Sequence, residues 1–440
     1  MTRDLKNISK PLVVDLTHGG VTIARELKKI SGHVLAWDIY GTLKSSDHEM
    51  LLEMGIDEVD GPVTGSTVIA PVHCPVKADI THHEITGFLL GPWKEARGIP
   101  VVEVTGVKGK TNTVWILRKI MENLNPLILS SLGSYAGSEL LKRDISITPA
   151  SMIETVKVAG PRDYGSAIFE VSLGGTGLAD VGVLTNIAED YNIRRGTSRA
   201  SSAKRQIFKS RMVCCDLQAF NRYYRNFGDK TNTFSVDAGA SVHATDIRYG
   251  LDSTVASVSV EGLKTIDGDR INTEFGIETF APAEHHLSNV LAAVSAALTL
   301  NLDVNDIQQG VKDFQGIPGR TSIRKVDGTC IIEEVNPGLN VKAVEYTLKM
   351  AENLPDPAVI IGGRYGVTCE DIDEDRLSGV LREFSDLNIM FTDEVGYSIM
   401  RKTHKNSPYF KSPDDALKAA LEHENVILIY RSEYRDLSRR

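Results

Sequence analysis

Cysteine is scarce here: five residues in 440, Cys74, Cys214, Cys215, Cys330 and Cys369, with no C-x-x-C pair among them. That spacing suits neither a zinc ribbon nor a disulfide framework, and the expected setting is a reducing cytoplasm. No apolar run approaches the ~20 residues that a membrane-spanning helix needs, so no membrane partner is expected. The opening segment MTRDLKNISKPLVVDL is basic and then only briefly apolar, unlike a secretory signal. Positive charge is not in excess either. The net charge of −9 argues against a general nucleic-acid binder. Low-complexity tracts and internal repeats are missing. What remains, 42% hydrophobic and 24% charged residues, is the composition of an ordinary globular chain. Its length suggests about three domains at roughly 150 residues each.

The pattern along the chain divides in the same way. From residue 11 to about 97, PLVVDL, HVLAWDIY and STVIAPV read as strands, and VTIARELKKI and HEMLLEMG as helices. That alternation predicts βαβ units and a parallel sheet. The turn Thr17-His18-Gly19-Gly20, with Asp38 about twenty residues on, is a faint dinucleotide fingerprint that lacks the G-x-G-x-x-G spacing. A second segment opens with GIPVVEVTGVKGKTNTVWILRKIMENL and closes with the helix LSNVLAAVSAALTL, with strands at GSAIFEVS and VGVLTNI between. FQGIPGRTSI reads as a hinge, on which the outer domains are expected to close and exclude water. From about Thr321 a third α/β pattern begins. The expected domains are 1–97, 98–320 and 321–440.

The chemistry starts at Gly106-Val107-Lys108-Gly109-Lys110-Thr111-Asn112. The common phosphate loop G-x-x-x-x-G-K-[ST] would need glycine where Val104 stands, so this loop is shorter. Backbone N–H groups of such a turn, with the following helix N-terminus, cradle phosphate oxygens. Lys110 can reach the terminal phosphates of ATP, and the Thr111 hydroxyl can hold Mg²⁺.

The short loop G-x-x-G-K-T-x-T resembles that of the Mur ligase superfamily, ATP-dependent enzymes that activate a carboxylate as an acyl phosphate. Further motifs follow in the family's order. IFEVSLGG is similar to its E-x-S strand end, which makes Glu170 a magnesium ligand. SSAKRQIF is similar to the A-K-x-x-[IL]-F segment, whose lysine, here Lys204, is carbamylated in many members. VLTNIAEDYNI, APAEHHLSNVLAA and GIPGR match a T-N-I-x-x-D-H motif, an adenine-contacting helix (Asn289) and a phosphate-approaching arginine (Arg320). SITPAS resembles a substrate-contacting T-P turn at Thr148. The resemblance implies an α/β fold of three domains, a central P-loop ATPase flanked by two smaller Rossmann-like domains, with ATP and Mg²⁺ as cofactors. Lys110, Lys204 and Glu170 are then the catalytic candidates.

Departures from the family matter as much. The family's D-H is Asp190-Tyr191 here, its H-N pair is His285-His286, and its D-D-Y-A-H-N-P is Glu333-Glu334-Val335-Asn336-Pro337. Glu334 remains a candidate for the ATP ribose, but the amino-acid signature of the third domain is gone. VVDLTHGGVTIARELKKISGHVLAWDIYGT, APVHCP and ITHHEITGFLL resemble the branch of the superfamily that, in methanogenic archaea, completes the nickel tetrapyrrole coenzyme F(430). That branch implies a nickel tetrapyrrole polycarboxylate as substrate and an internal carbon nucleophile. From Tyr191 to Val213 stand seven cations and no acid: Arg194, Arg195, Arg199, Lys204, Arg205, Lys209 and Arg211. Either they form a solvated helix face or they make a basic lip for phosphates or a polycarboxylate, with Arg194 and Arg195 as substrate contacts. The histidines His18, His73, His82 and His83 are read as loop and core residues in preference to a metal site. An amide ligase, a non-catalytic nucleotide-binding module and a nicotinamide oxidoreductase stand as alternatives. The oligomeric state and the modification of Lys204 are open at this stage.

Overall fold

The computed structural model describes residues 8, 10–193, 196–250, 253–317, 321–336, 339, 341–367, 372–403 and 406–432. Within these are three sheets large enough to carry a domain, and the strands expected from the apolar runs appear where they were expected. The chain forms two compact units. One comprises Met1–Thr245, Ser257–Ile277 and Ser288–Val311; the other comprises Asp246–Ala256, Glu278–Leu287 and Lys312–Arg440.

In the first unit a five-stranded parallel sheet has the order Asp57–Glu58, Leu35–Trp37, Pro11–Val14, Thr67–Ala70, Ile80–Thr81. Leu12, Val13 and Val14 are fully buried, as in a parallel strand covered on both faces. The chain winds outward from Pro11–Val14 on one side, then returns to Thr67–Ala70 on the other. The carboxyl ends of those two strands therefore form a topological switch point, where open α/β sheets bind their ligands.

The second sheet, eleven strands among the described residues, has Val101–Thr105 between Val181–Leu184 and Ala167–Glu170, all parallel. Leu127–Ser130 continues it in parallel. Gly133–Ala136 and Glu139–Lys142 extend it as antiparallel strands that the sequence reading did not anticipate. The long strands Val242–Arg248, Thr254–Lys264 and Arg270–Thr279 at the other edge were not anticipated either.

Helix His82–Arg97 ties the two sheets together. It starts in a capping box, in which Glu84 N donates to Thr81 Oγ1 at 3.1 Å and Thr81 N to Glu84 Oε2 at 2.8 Å. Its Ile85 and Leu90 share one core with Val13, Ile23, Val101, Leu127, Met152, Ile153 and Phe169. The same core thus serves the first sheet and the sheet that carries the glycine loop. The sequence reading put those sheets in separate domains.

The first turn of that helix buries two imidazoles. Burial pushes His82 down to about 3 and His83 down to about 4, so both are neutral in the folded protein. In the unfolded chain they would take up a proton near 6.5. Their stabilising contribution is therefore complete above that pH and is lost as pH falls through the window toward 4. The expected loss is about 1.4 kcal/mol per pH unit for each histidine. His83→Gln, which can keep the donor to Ser172 O, should flatten the slope of unfolding free energy measured at pH 7, 6 and 5. An unchanged slope would refute the neutral-histidine assignment.

The second unit holds a six-stranded sheet in the order Thr321–Val326, Thr329–Asn336, Asn425–Arg431, Pro357–Gly363, Asn388–Thr392, Tyr409–Phe410. All its pairs are parallel except the first. Alternate residues face opposite layers: Ile332, Val359, Ile361, Ile427 and Ile429 join one core, and Ile331, Ala358, Ile360, Val426 and Leu428 the other. No helix of the described residues is long and apolar enough to cross a membrane.

Candidate active site

Strand Val101–Thr105 delivers the glycine loop from the middle of its sheet. Gly106 has φ +146°, and a Cβ there would lie 1.9 Å from Thr185 Oγ1. Gly109 has φ +84°, and a Cβ there would lie 2.0 Å from Asn289 Oδ1. Both positions exclude a side chain by contact as well as by backbone conformation. The loop is clamped from the neighbouring strand end. Val107 N donates to Asn186 O at 3.1 Å and Lys108 N to Asn186 Oδ1 at 3.1 Å. Thr185 Oγ1 and Asn186 Nδ2 both donate to Lys108 O, at 2.5 and 3.1 Å. Thr185 and Asn186 belong to the T-N-I motif, yet the sequence reading gave them no role in the site. Their signal was the strand-end position beside the loop.

Helix Lys110–Ile120 begins immediately after Gly109, so its first N–H groups sit at the turn. Lys110 Nζ lies 3.2 Å from Gly106 O and 3.4 Å from Val107 O, folded back over the loop. Thr111 Oγ1 donates to Glu170, 3.0 Å from Oε1 and 3.1 Å from Oε2, and Ser131 N donates to Glu170 Oε2 at 3.0 Å. Thr111 and Glu170 are thus in direct contact. A buried carboxylate and a hydroxyl in contact are the hard oxygen donors that Mg²⁺ prefers, and the pair fits that ion. Ser131 is a further neighbour that sequence reasoning missed.

Lys204 ends the short helix Ala200–Lys204 and is only 2% exposed. The carboxylate of Asp190 receives Ser201 N at 2.8 Å and Ser201 Oγ at 2.9 Å, which pins the start of this helix. His83 lies beside Lys204, whose charge adds to the effect of burial in keeping the imidazole neutral. His83 Nε2 donates to Ser172 O at 2.7 Å, and Ser172 is two residues past Glu170. Lys204 therefore shares a neighbourhood with the E-x-S strand end.

Asn289 is buried and packs directly on Gly109, over the phosphate loop itself. In the second unit, Glu334 Oε1 stands 2.9 Å from His286 Nε2, too poorly aligned for a hydrogen bond. The His285 ring lies 3.9 Å from that of His286. Burial pushes Glu334 up to about 7 and both imidazoles down to about 3. His285 Nδ1 and His286 Nδ1 are buried without a hydrogen-bond partner, an orphaned polar set that suits a polar ligand. Nearby residues Pro282, Ala283 and Glu284 line a cavity of about 530 Å³ with Tyr249, Tyr346 and Met350.

Thr148 immediately precedes helix Pro149–Ala159, and its hydroxyl joins those of Ser146 and Ser151 at 3.3 and 3.0 Å. Arg194, Arg195 and Arg320 lie outside the described residues, as does the end of the hinge. The five described cations of the basic stretch are engaged separately. Lys209 pairs with Glu84 at 2.6 Å, Arg211 donates to Ile266 O, Arg205 stacks over Phe227, and Arg199 donates to Asp190 O at 3.0 Å. Lys204 is buried. Of the five described cations, Lys209 is paired with a carboxylate, and Arg199, Arg205, Lys209 and Arg211 remain exposed. Asp38, the acid of the faint dinucleotide fingerprint, caps its own turn through Leu43 N at 2.8 Å.

Residues 104–297 match the family model of the Mur ligase middle domain, and residues 323–433 match that described as "Coenzyme F430 synthetase CfbE, C-terminal domain". A coenzyme F(430) synthetase of Methanocaldococcus jannaschii is 28% identical over 92% of this chain and 95% of its own. That of Methanosarcina acetivorans is 28% identical over 95% and 97%. Among solved structures, the MurF ligase of Thermotoga maritima in complex with ADP superposes with TM-score 0.62 at 15% identity, covering 100% of this chain and 97% of that one. A pseudomurein peptide ligase of Methanothermus fervidus gives 0.55 at 17%, covering 98% of each. The fold is Mur-ligase-like α/β. The resemblance of the chain is to the Mur ligase superfamily, most like its coenzyme F(430) synthetases, and these likenesses support an ATP-dependent ligase-type activity.

Proposed function

We propose that this protein is an ATP-dependent cyclase that completes a nickel tetrapyrrole. ATP phosphorylates a propionate-derived carboxylate of the nickel seco-tetrapyrrole acid. A ring carbon of the same molecule then displaces phosphate, closing a carbocycle and leaving ADP and phosphate. The observation that carries this reading is the nearly full-length likeness to two coenzyme F(430) synthetases. The match of the C-terminal residues to that family's own domain model supports it, because this is where the amino-acid signature of ordinary Mur ligases is missing. The three-domain division at 97 and 320 belongs to the same proposal.

Each part of the machinery has a stated task. Loop N–H groups and the N-terminus of helix Lys110–Ile120 hold the phosphates, and Lys110 offsets charge developing on the transferred group. Thr111 and Glu170 would hold Mg²⁺, which supplies charge neutralisation between carboxylate and triphosphate. Lys204 stands by the Glu170 strand end, as a cation or as a carbamate. Asn289, Glu334 and Arg320 are assigned to ATP, and Thr148, Arg194 and Arg195 to the polycarboxylate.

The purified protein, given ATP, Mg²⁺ and the nickel seco-precursor, is expected to release phosphate with no amino acid present. The product should be one water lighter, by mass spectrometry, than the precursor acid. Strict dependence on an added amino acid, with its mass in the product, would return the chain to amide ligation.

A further inference from the structure

At the switch point of the first sheet, two histidines far apart in sequence meet on one carboxylate. Asp15 follows strand Pro11–Val14, is fully buried, and takes the left-handed conformation at φ 68°. A non-glycine residue is held there only by its surroundings. Asp15 N donates to Trp37 O at 3.1 Å, and Asp15 Oδ1 accepts His18 N at 3.1 Å. His18 Nδ1 lies 2.8 Å from Oδ1 and 2.9 Å from Oδ2. His73, just past strand Thr67–Ala70, brings Nε2 to 3.3 Å from Oδ2. The His18 ring meets those of His73 and Tyr40 edge-on, at 5.1 and 5.8 Å between centroids. Sequence spacing pointed to ordinary loop and core histidines. His82 and His83 are the core pair, and the fold gathers His18 and His73 on Asp15.

The protonation state follows from these contacts. Burial alone would raise the Asp15 carboxyl, but the hydrogen bonds from His18 and His73 outweigh it and hold the group far below the usual range. A carboxylate has no proton to give, so His18 Nδ1 carries the proton in this pair. In the neutral ring His18 Nε2 is then a lone-pair acceptor, on a side chain that is 48% exposed. The pairing raises the imidazole above its ordinary value, the bond to Asp15 being the main cause.

His18 also lies beside the part of the site where the activated carboxylate is expected. A Cβ on Gly19 would sit 2.5 Å from Ala150 Cβ and 3.4 Å from Thr148 Oγ1, so this turn rests on the Thr148-Pro149 turn. Ile147 O in turn accepts Ser172 N at 2.8 Å, two residues beyond Glu170. These contacts, within one compact unit, join the His18-Gly19 turn through residues 147–150 to the segment that follows Glu170.

We propose that His18, oriented by Asp15 and with Asp15 steadied by His73, is the base that removes the proton from the attacking ring carbon. This role rests on the cyclase reading above. An amine nucleophile loses its proton readily to solvent, whereas a carbon acid needs a base placed against it. In the step, His18 Nε2 takes the proton of the attacking ring carbon, and the C–H pair so released forms the new C–C bond to the acyl carbon. The acyl C–O bond breaks with its pair leaving on phosphate. The proton then passes from His18 to water.

The titratable groups around His18 are Asp15 beneath it, His73 and Tyr40 at its ring edges, and His82 under Asp15, held neutral by burial. The neighbouring helix start contributes the hydroxyls of Ser146, Thr148 and Ser151. Asp15 stays ionised and His82 neutral across the working range. The rate of ring closure should therefore rise with pH through the titration of His18 and then level.

The test separates activation from closure. Wild-type, His18→Gln and Asp15→Asn proteins receive ATP, Mg²⁺ and the nickel seco-precursor. Ring closure is followed by absorption, and acyl phosphate is trapped as hydroxamate with hydroxylamine. His18→Gln is expected to slow closure by roughly 10²–10⁴-fold and to lose the acid limb of the pH profile. Hydroxamate from the same sample would show that its fold and activation step are intact. Asp15→Asn, which frees the tautomer, should fall between it and wild type. Wild-type closure matched by His18→Gln in rate and pH profile overturns the base assignment alone. Wild-type protein that leaves the precursor unchanged overturns the cyclase reading on which the assignment rests.

Discussion

Lys110→Ala is expected to lower ATP turnover by at least ~100-fold, with phosphate release falling to background. The side chain leaves the first residue of the helix and folds over the carbonyls of Gly106 and Val107, where a terminal phosphate would meet it. Its charge matters most as the phosphoryl group moves, because negative charge then collects on oxygens that the loop N–H groups only partly satisfy. Truncation removes that charge and leaves the backbone cradle in place. Calorimetric titration should accordingly still detect weakened nucleotide binding while turnover is lost. The loop should keep its shape, since Asn186 and Thr185 rather than Lys110 clamp it. Unchanged phosphate release in the variant would remove Lys110 from the mechanism.

Glu170→Gln should raise the Mg²⁺ concentration needed for half-maximal activity by roughly 10–100-fold, the range seen when metal-site groups are removed. The substitution keeps the shape of the side chain and its capacity to hydrogen-bond Thr111 and Ser131 N, but deletes the charge. A structural acid at this position would behave differently. The variant would then lose thermal stability and keep its magnesium dependence, because the consequence would lie in packing. Measuring the Tm and the magnesium titration on the same preparation distinguishes the two. A full shift in Tm with an unmoved magnesium midpoint would refute the ligand assignment.

How much of this was legible in the sequence depended on whether the signal was local. The strand-loop-helix from Val101 to Ile120 was readable because apolar runs, glycine placement and Lys110-Thr111 lie within twenty residues. The pairing of Thr111 with Glu170 needed the resemblance to a family, since nothing in the spacing links positions 59 residues apart. The cations from Arg199 to Arg211 looked like one feature in sequence. In the fold Glu84, Phe227 and Ile266 each contact one of them, and Lys204 is buried, so neighbours in sequence have different surroundings.

By itself, then, the chain determined the α/β class and the phosphate loop. Each follows from short-range periodicity, from a glycine that only one backbone conformation accommodates, or from burial of an apolar face. Tertiary structure alone decided that the first sheet shares its core with the loop sheet, and that Thr185 and Asn186 hold the loop. It alone brought His18 and His73 onto Asp15. That convergence depends on strand order, because two strand ends 56 residues apart in sequence, Val14 and Ala70, become neighbours only where the winding of the sheet reverses.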